Sequence, residues 1–323
     1  MRNDVLPAVG PLDISGTRFV EEKRRLGYGY RSEAFIVAEF SRFASKHFEY
    51  ATDTSIVSRK MVEAWLQSKE ELTAKSMQLR MVVIRQFAKF LVRSGEEAYV
   101  LPFGYSPKAH SSFVPYILTE HQILCIFAAA DRLKPIGLSP GRHLVIPLIL
   151  RMLYGCGLRV SEATHLQIAD VDLTNGILMI RNSKFQKTRA IPMAESLRLR
   201  CCDYFQMMHQ KSRPEDFFFP NAWREEYSPA SVRENFHALW EGCGFPQPGP
   251  RLHDLRHTYA VHTLKKWSET GRNLHALLPL LSFYLGHNDL SGTQKYLRLT
   301  ADMYPHVIGK VESAYGDIFP NER

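Results

Sequence analysis

The feature that most restricts the fold of this chain is a break in helical periodicity between Gly104 and Tyr116. The stretch is rich in Gly, Ser and Pro, a composition typical of an extended linker. A chain of 323 residues is also long for a single hydrophobic core. We therefore predict two domains, at 13–104 and 118–300, joined by a linker at 105–117 and followed by a tail at 301–323.

The first domain is predicted to be a small bundle of helices. Apolar residues recur at helical spacing in three runs, of which the last contains Leu79, Val83, Phe87 and Leu91. Basic residues are interleaved with these runs. Such residues form either a solvated outer face or a face that contacts DNA, and the periodicity does not choose between them.

The second domain combines helices with a short stretch of different character. Thr119 and Gln122 stand at the spacing of a capping box and predict the start of a helix, and a helical pattern recurs over 161–167. Two short apolar runs at 176–181 and 189–192, joined by polar residues, predict a β-hairpin or part of a small sheet. The predicted fold class is mainly α with a small antiparallel β-sheet.

Charge and composition restrict the partners and the compartment. The formal net charge of +8 favours a polyanion such as nucleic acid, because basic side chains release its condensed counterions. The five cysteines form no CxxC pair and no disulfide-like pattern, so we expect a cytoplasmic protein. The first ten residues lack the apolar segment of a secretion signal, and no apolar run is long enough to span a bilayer, so no membrane role is predicted.

Four separated segments together predict a site for phosphoryl transfer. Arg159 and Arg256 suit the equatorial oxygens of a phosphodiester under attack, because guanidinium groups form paired, charge-assisted hydrogen bonds to them. The leaving 5′ oxygen needs a proton, which a lysine in the polar hairpin tip can supply, and Lys184 is the candidate.

Tyr296 is the candidate nucleophile. A phenol has a pKa of about 10, so it attacks at neutral pH only with help from a base or from nearby positive charge. The imidazoles of His253 and His287 are candidates for that help. Attack on a DNA phosphate gives a 3′-phosphotyrosine and conserves the bond energy, so neither ATP, a metal nor another cofactor is predicted.

The order and spacing of these residues resemble the tyrosine recombinases, the family of phage integrases and Xer-type resolvases. The resemblance rests on three motifs, with Tyr296 nine residues after the last of them. They are Gly-Leu-Arg followed by Ser-Glu at 157–162, His-x-Leu-Arg-His at 253–257, and Leu-Gly-His at 285–287. The residues before about Thr119 match the family only in their general helical character.

The resemblance implies a role for each matching residue. Arg159 and Arg256 would bind the scissile phosphate, Lys184 would be the general acid and Tyr296 would attack. The remaining matches would assist or support these groups, and they are His253, His287, Glu162 and His257.

The resemblance also implies the biological context. Residues 13–104 would form a core-binding domain on double-stranded DNA recombination sites. The tail would exchange between the protomers of a homo-tetramer, and the reaction would pass through a Holliday junction near the nucleoid. We expect integration or transposition of a mobile element.

Several alternatives remain open at this stage. Lys187 is a second candidate for the acid, because the hairpin tip lacks the glycines that often flank the family's lysine. His253 and His257 stand at the spacing of a zinc-binding pair, although Arg256 between them would repel a metal. The tail could pack on its own domain. A type IB topoisomerase-like relaxase or a non-catalytic DNA-binding relative would retain the same motifs.

Overall fold

A computed structural model of the chain describes residues 11–48, 56–105, 114–137, 139, 141–181, 188–287 and 291–303. Its contacts divide the chain into two compact units, 1–113 and 114–323. None of the helices in these ranges is long and apolar enough to cross a membrane.

The described residues of the first unit form four helices. They are α1 (Pro11–Arg25), α2 (Arg31–His47), α3 (Arg59–Gln67) and α4 (Ala74–Arg93). The side chains of Ser58 and Thr73 accept hydrogen bonds from the first turns of α3 and α4 and so fix where these helices begin. Aromatic rings fill the core, where the ring centroids of Phe40 and Trp65 lie 5.4 Å apart.

The second unit contains eight helices, a 3-10 turn and three strands among the described residues. The helices are α5 (Glu120–Asp131), α6 (Arg142–Gly155), α7 (Val160–Thr164), α8 (Glu195–Met208), α9 (Pro229–Gly242), α10 (Asp254–Glu269), α11 (Leu274–Leu285) and α12 (Ser291–Met303). The capping box predicted from Thr119 and Gln122 begins α5, with both reciprocal hydrogen bonds formed.

The strands form one antiparallel sheet in the order β1 (Val171–Asp172), β2 (Ile177–Ile180), β3 (Arg189–Pro192). Strands β2 and β3 pair antiparallel, and the last pair of their register joins Ile180 to Arg189. The predicted fold class, mainly α with a small antiparallel sheet, is confirmed.

The helix predicted over 161–167 is too long. Helix α7 ends at Thr164, and a 3-10 turn follows at Ile168–Asp170. The backbone of 166–169 instead pairs with a distant segment: Leu166 O accepts from Phe218 N at 2.7 Å, and Ile168 N donates to Asp216 O at 3.0 Å. Long-range backbone hydrogen bonds therefore replace the local helical ones.

The described residues of this unit form two hydrophobic cores. The larger lies around α5, α6, α8 and α9 and the sheet. The smaller lies among α10, α11 and α12, and it contains Tyr296 together with Leu264, Leu278 and Leu285. The predicted nucleophile is therefore part of a packed core.

Candidate active site

Two glycines allow the turns that precede the predicted site residues. Gly157 follows α6 with φ 58°, and Gly286 ends α11 with φ 66°. A Cβ on Gly157 would lie 2.7 Å from the ring of Tyr259, and one on Gly286 would lie 2.8 Å from the guanidinium of Arg189. Both the left-handed backbone and the lack of space restrict these positions to glycine.

Arg256 joins the two turns. Its guanidinium donates from Nη1 to Gly157 O at 2.6 Å and from Nη2 to Leu285 O. The residue is 1% exposed. Burial, followed by the charge of Arg159, lowers the pKa of Arg256 to about 10, so it stays protonated at neutral pH.

Arg159 is the residue before α7 and points back across its first turn. Its Nη1 donates to Glu162 Oε1 at 2.7 Å, and its Nη2 donates to Gly286 O at 3.2 Å. The backbone N–H of Arg159 donates to the other oxygen of the same carboxylate at 2.9 Å. The side chain is 26% exposed and lines a groove, so a ligand can reach it.

Glu162 is a buried carboxylate at the centre of the arginines. Arg189 donates to both of its oxygens, at 3.1 and 2.8 Å, and Arg256 Nη1 lies 3.9 Å away. Burial acts to raise the pKa of Glu162, but the hydrogen bond and charge of Arg189 and those of Arg159 outweigh it and hold the pKa below its usual range. Glu162 is thus ionised and orients the guanidinium groups around it.

Tyr296, on α12, contacts His257 in the first turn of α10. The phenol oxygen lies 2.8 Å from His257 Nδ1. Tyr296 is 1% exposed and His257 5%. Burial raises the pKa of the Tyr296 phenol, although the charges of Arg256 and Arg159 and a hydrogen bond with Arg256 offset part of the rise.

The other two predicted histidines lie on either side of this pair. His253 precedes α10, and its ring meets that of His257 nearly at right angles, with centroids 4.8 Å apart. The ring of His287 stacks on that of Tyr296 at 6.1 Å, and its Nδ1 hydrogen-bonds Thr293 Oγ1 at 2.6 Å. Desolvation, followed by the charges of Arg256 and Arg159, lowers the pKa of His253 to about 4.

The two lysine candidates, Lys184 and Lys187, lie outside the described residues. The strands that flank them do border the site. A groove of about 620 Å³ beside Arg159 is lined by Ser161, Phe217 and Arg181, the last residue described before the segment 182–187. In the described part of the chain, no group of three His, Cys, Asp or Glu side chains could hold a metal ion.

Arg189 was not among the predicted site residues. It starts β3, is 4% exposed, and donates from Nε to Tyr284 O at 2.9 Å in addition to its two bonds to Glu162. It therefore ties the hairpin to α7 and to the end of α11. The indication in the sequence is its place in the short run 189–192, two residues before the apolar Ile191 and so on the same face of a strand.

The buried His257 predicts a loss of stability in acid. Burial, followed by the charge of His253, lowers its pKa from 6.5 to about 3. Between these values the unfolded chain binds the extra proton, so the free energy of unfolding falls as the pH falls. Between pH 7 and pH 5 we expect His257 to lower the free energy of unfolding by about 2 kcal/mol, as measured by urea denaturation. The variant His257→Asn should lose correspondingly less over that interval, and an equal loss in both proteins would contradict the prediction.

The comparisons with known proteins place the chain in a family. The model of the phage integrase family matches residues 117–303, more than half of the chain. A protein of Sinorhizobium fredii named as an integrase/recombinase, y4rB, is 27% identical over 310 residues, which cover 93% of this chain and 96% of that protein. Tyrosine recombinase XerC of Oceanobacillus iheyensis is 29% identical over 284 residues, which cover 84% of this chain and 85% of that protein.

The fold agrees with the sequence comparison. A crystal structure of a lambda integrase (75–356) dimer bound to a COC′ core site matches with a TM-score of 0.63 at 17% identity, covering 88% of this chain and 94% of that one. The chain belongs to the phage integrase family of tyrosine recombinases, whose members are site-specific DNA strand-exchange enzymes. The resemblance predicted from the motifs is confirmed.

Proposed function

We propose that this protein is a site-specific DNA recombinase that cuts and rejoins strands through a 3′-phosphotyrosyl intermediate at Tyr296 and a Holliday junction. The main support is the convergence of Arg159, Arg256 and the phenol of Tyr296 around two glycine turns. An attack by tyrosine needs positive charge at the phosphate and a phenol close to it.

In this mechanism Arg159 and Arg256 bind the non-bridging oxygens of the scissile phosphate. The partial exposure of Arg159 and the fixed position of Arg256 favour this role, because donors held in place before the reaction need no reorganisation as charge develops. Glu162 keeps the guanidinium groups oriented, and His253 and His287 assist through hydrogen bonds and proton transfer.

The leaving 5′ oxygen receives its proton from Lys184, with Lys187 as the alternative acid. We expect Lys184→Ala to cleave slowly on an ordinary phosphodiester. A 5′-bridging phosphorothiolate should restore its rate, because sulfur leaves without protonation. If Lys187→Ala is the variant that the phosphorothiolate rescues, the two roles are exchanged.

The partner is double-stranded DNA that carries recombination sites. Support comes from the net charge of +8 and from solved relatives, among them the Tn1549 transposon integrase in complex with a circular intermediate DNA. Residues 13–104 would act as the core-binding domain. Four copies would assemble on two sites, exchanging the tail at 301–323, of which 304–323 lie outside the described residues. Integration or transposition of a mobile element at the cytoplasmic nucleoid fits these features.

The test is covalent capture on a nicked DNA that carries the recognition site. When the strand downstream of the cut is short and diffuses away, religation is prevented and the protein remains attached to the 3′ phosphate. We expect a shifted, protease-sensitive adduct without added metal or ATP, and recombinant products on intact sites. No adduct would refute the proposal, whereas an adduct with relaxation of supercoils and no recombinants would favour a topoisomerase.

A further inference from the structure

Lys295, the residue before the proposed nucleophile, carries a positive charge that the mechanism above does not use. Its Nζ lies 5.3 Å from the centroid of the Tyr296 ring, close enough for an attraction between the cation and the ring. Tyr296 itself is 1% exposed, whereas Lys295 is exposed. The ammonium group therefore lies where the buried ring meets solvent, and a ligand can reach it.

The charges that act most strongly on Lys295 are also positive. Burial, followed by the charges of Arg256 and Arg251, lowers the pKa of Lys295. Arg251 lies just before α10, and its side chain is 53% exposed. Both Lys295 and Arg251 also act on the imidazole of His257, one from α12 and the other from the start of α10. Cations from two elements thus converge beside Tyr296, an arrangement that an anion would stabilise.

The buried carboxylates of the site are already bound by arginines. Glu162 accepts hydrogen bonds from Arg159 and Arg189. Asp254, which is 2% exposed, accepts from the guanidinium of Arg251 at 3.0 Å and from its backbone N–H at 2.8 Å. Among the described residues, Lys295 forms no ion pair with a carboxylate. Its charge therefore remains available to an anion from outside the protein.

We propose that Lys295 binds a DNA phosphate that neighbours the scissile one on the cleaved strand, an inference that rests on the proposed strand-transfer function. Each nucleotide of that strand carries one negative charge, so a strand that places one phosphate at Arg159 and Arg256 brings the next ones close to it. Lys295 and Tyr296 are adjacent on α12, so the contact holds the strand against the helix that carries the nucleophile. No bond is made or broken in this step.

The contact is expected to contribute to affinity without reading sequence, because phosphates carry no base information. Lys295→Met keeps most of the aliphatic stem over the ring and removes the charge. We expect it to bind DNA about 10-fold more weakly at low salt, and the slope of log affinity against log salt to be smaller by about one. Since the side chain is exposed, its melting temperature should equal that of the parent.

Two further variants separate charge from position. Lys295→Arg keeps the positive charge and should retain most of the affinity. The matched control is Lys266→Met, which removes an exposed lysine from the last turn of α10 in the same unit and should bind like the parent. All these variants are compared in the Tyr296→Phe background, where the aromatic ring is kept and the proposed nucleophile is absent. Binding by Lys295→Met with the parental affinity and salt slope would overturn the proposal.

The phosphate is identified with DNA in which a neutral methylphosphonate replaces one phosphate at a time. The three positions are the scissile phosphate and its two neighbours on the same strand. At one of the neighbours we expect the parent to lose about 10-fold in affinity and Lys295→Met to lose little, because the interaction is already gone. Equal losses in the two proteins at both neighbours would overturn the proposal, and so would coupling at the scissile phosphate alone.

These outcomes separate the contact from the function as a whole, because binding is measured without strand cleavage. If the parent forms the adduct at Tyr296 but Lys295→Met shows no coupling to either neighbouring phosphate, only the assignment of Lys295 fails. If coupling is found but the parent forms no adduct, the strand-transfer function fails and Lys295 remains a DNA-binding residue.

Discussion

Methionine in place of Arg189 is expected to lower the free energy of unfolding of the second unit by about 3 to 5 kcal/mol. Methionine fills a similar volume but removes the two hydrogen bonds to Glu162 and the bond to Tyr284 O. It leaves a buried carboxylate without one of its two hydrogen-bonded guanidinium partners. The loss should appear as a melting temperature lower by about 10 °C. Strand cleavage should fall as well, because Glu162 also orients Arg159.

The matched control for Arg189 is Arg213→Met. Arg213 pairs with Glu215 and Asp216 in the same unit, but its side chain is 74% exposed. Exposed pairs contribute about 0 to 1 kcal/mol, so this variant should melt close to the parent. The double variant Arg189→Met, Glu162→Gln should regain stability relative to Arg189→Met alone, because the carboxylate that has lost a guanidinium partner is then replaced by a neutral amide. If Arg189→Met and Arg213→Met melt at the same temperature, the buried pair of Arg189 and Glu162 does not stabilise the unit as we expect.

Much of the fold could be predicted because its signals are local. The capping box at Thr119 and the pairing of the apolar runs at 176–181 and 189–192 depend on residues close together in sequence, and both are present. The helix over 161–167 was predicted on the same basis but stops at Thr164, because hydrogen bonds to 214–218 compete for its backbone. Competition of this kind comes from residues some fifty positions away and leaves no local pattern.

The candidate site likewise contains residues that local sequence motifs predict and residues that only long-range contacts reveal. Arg159, Arg256 and Tyr296 belong to motifs with fixed spacing, so the sequence predicts them. Arg189 gains its importance only where β3 meets Glu162, and His257 only where α10 meets α12. Nothing near either residue specifies those contacts. The hydrogen-bond network around the motif residues is therefore what the structure adds.

Phenylalanine in place of Tyr296 is expected to abolish the covalent adduct while leaving DNA binding intact. The ring and its packing against His287 are retained, and the nucleophilic oxygen is removed. The lost hydrogen bond to His257 should cost only about 1 to 2 kcal/mol of stability. Tyr204→Phe is the matched control, since its buried hydroxyl donates to Phe218 O at 2.9 Å. That variant should lose similar stability and still form the adduct.

The identity of the residue attached to DNA is the most direct test. Trypsin cuts after Lys295 and after Arg298, so digestion of the trapped complex should leave Tyr296 in a three-residue peptide. Mass spectrometry after nuclease treatment is expected to find a nucleotide linked through its 3′ phosphate to the Tyr296 oxygen, and the released strand should have a free 5′ hydroxyl. A nucleotide on any other residue, or a linkage through a 5′ phosphate, would contradict the proposed chemistry.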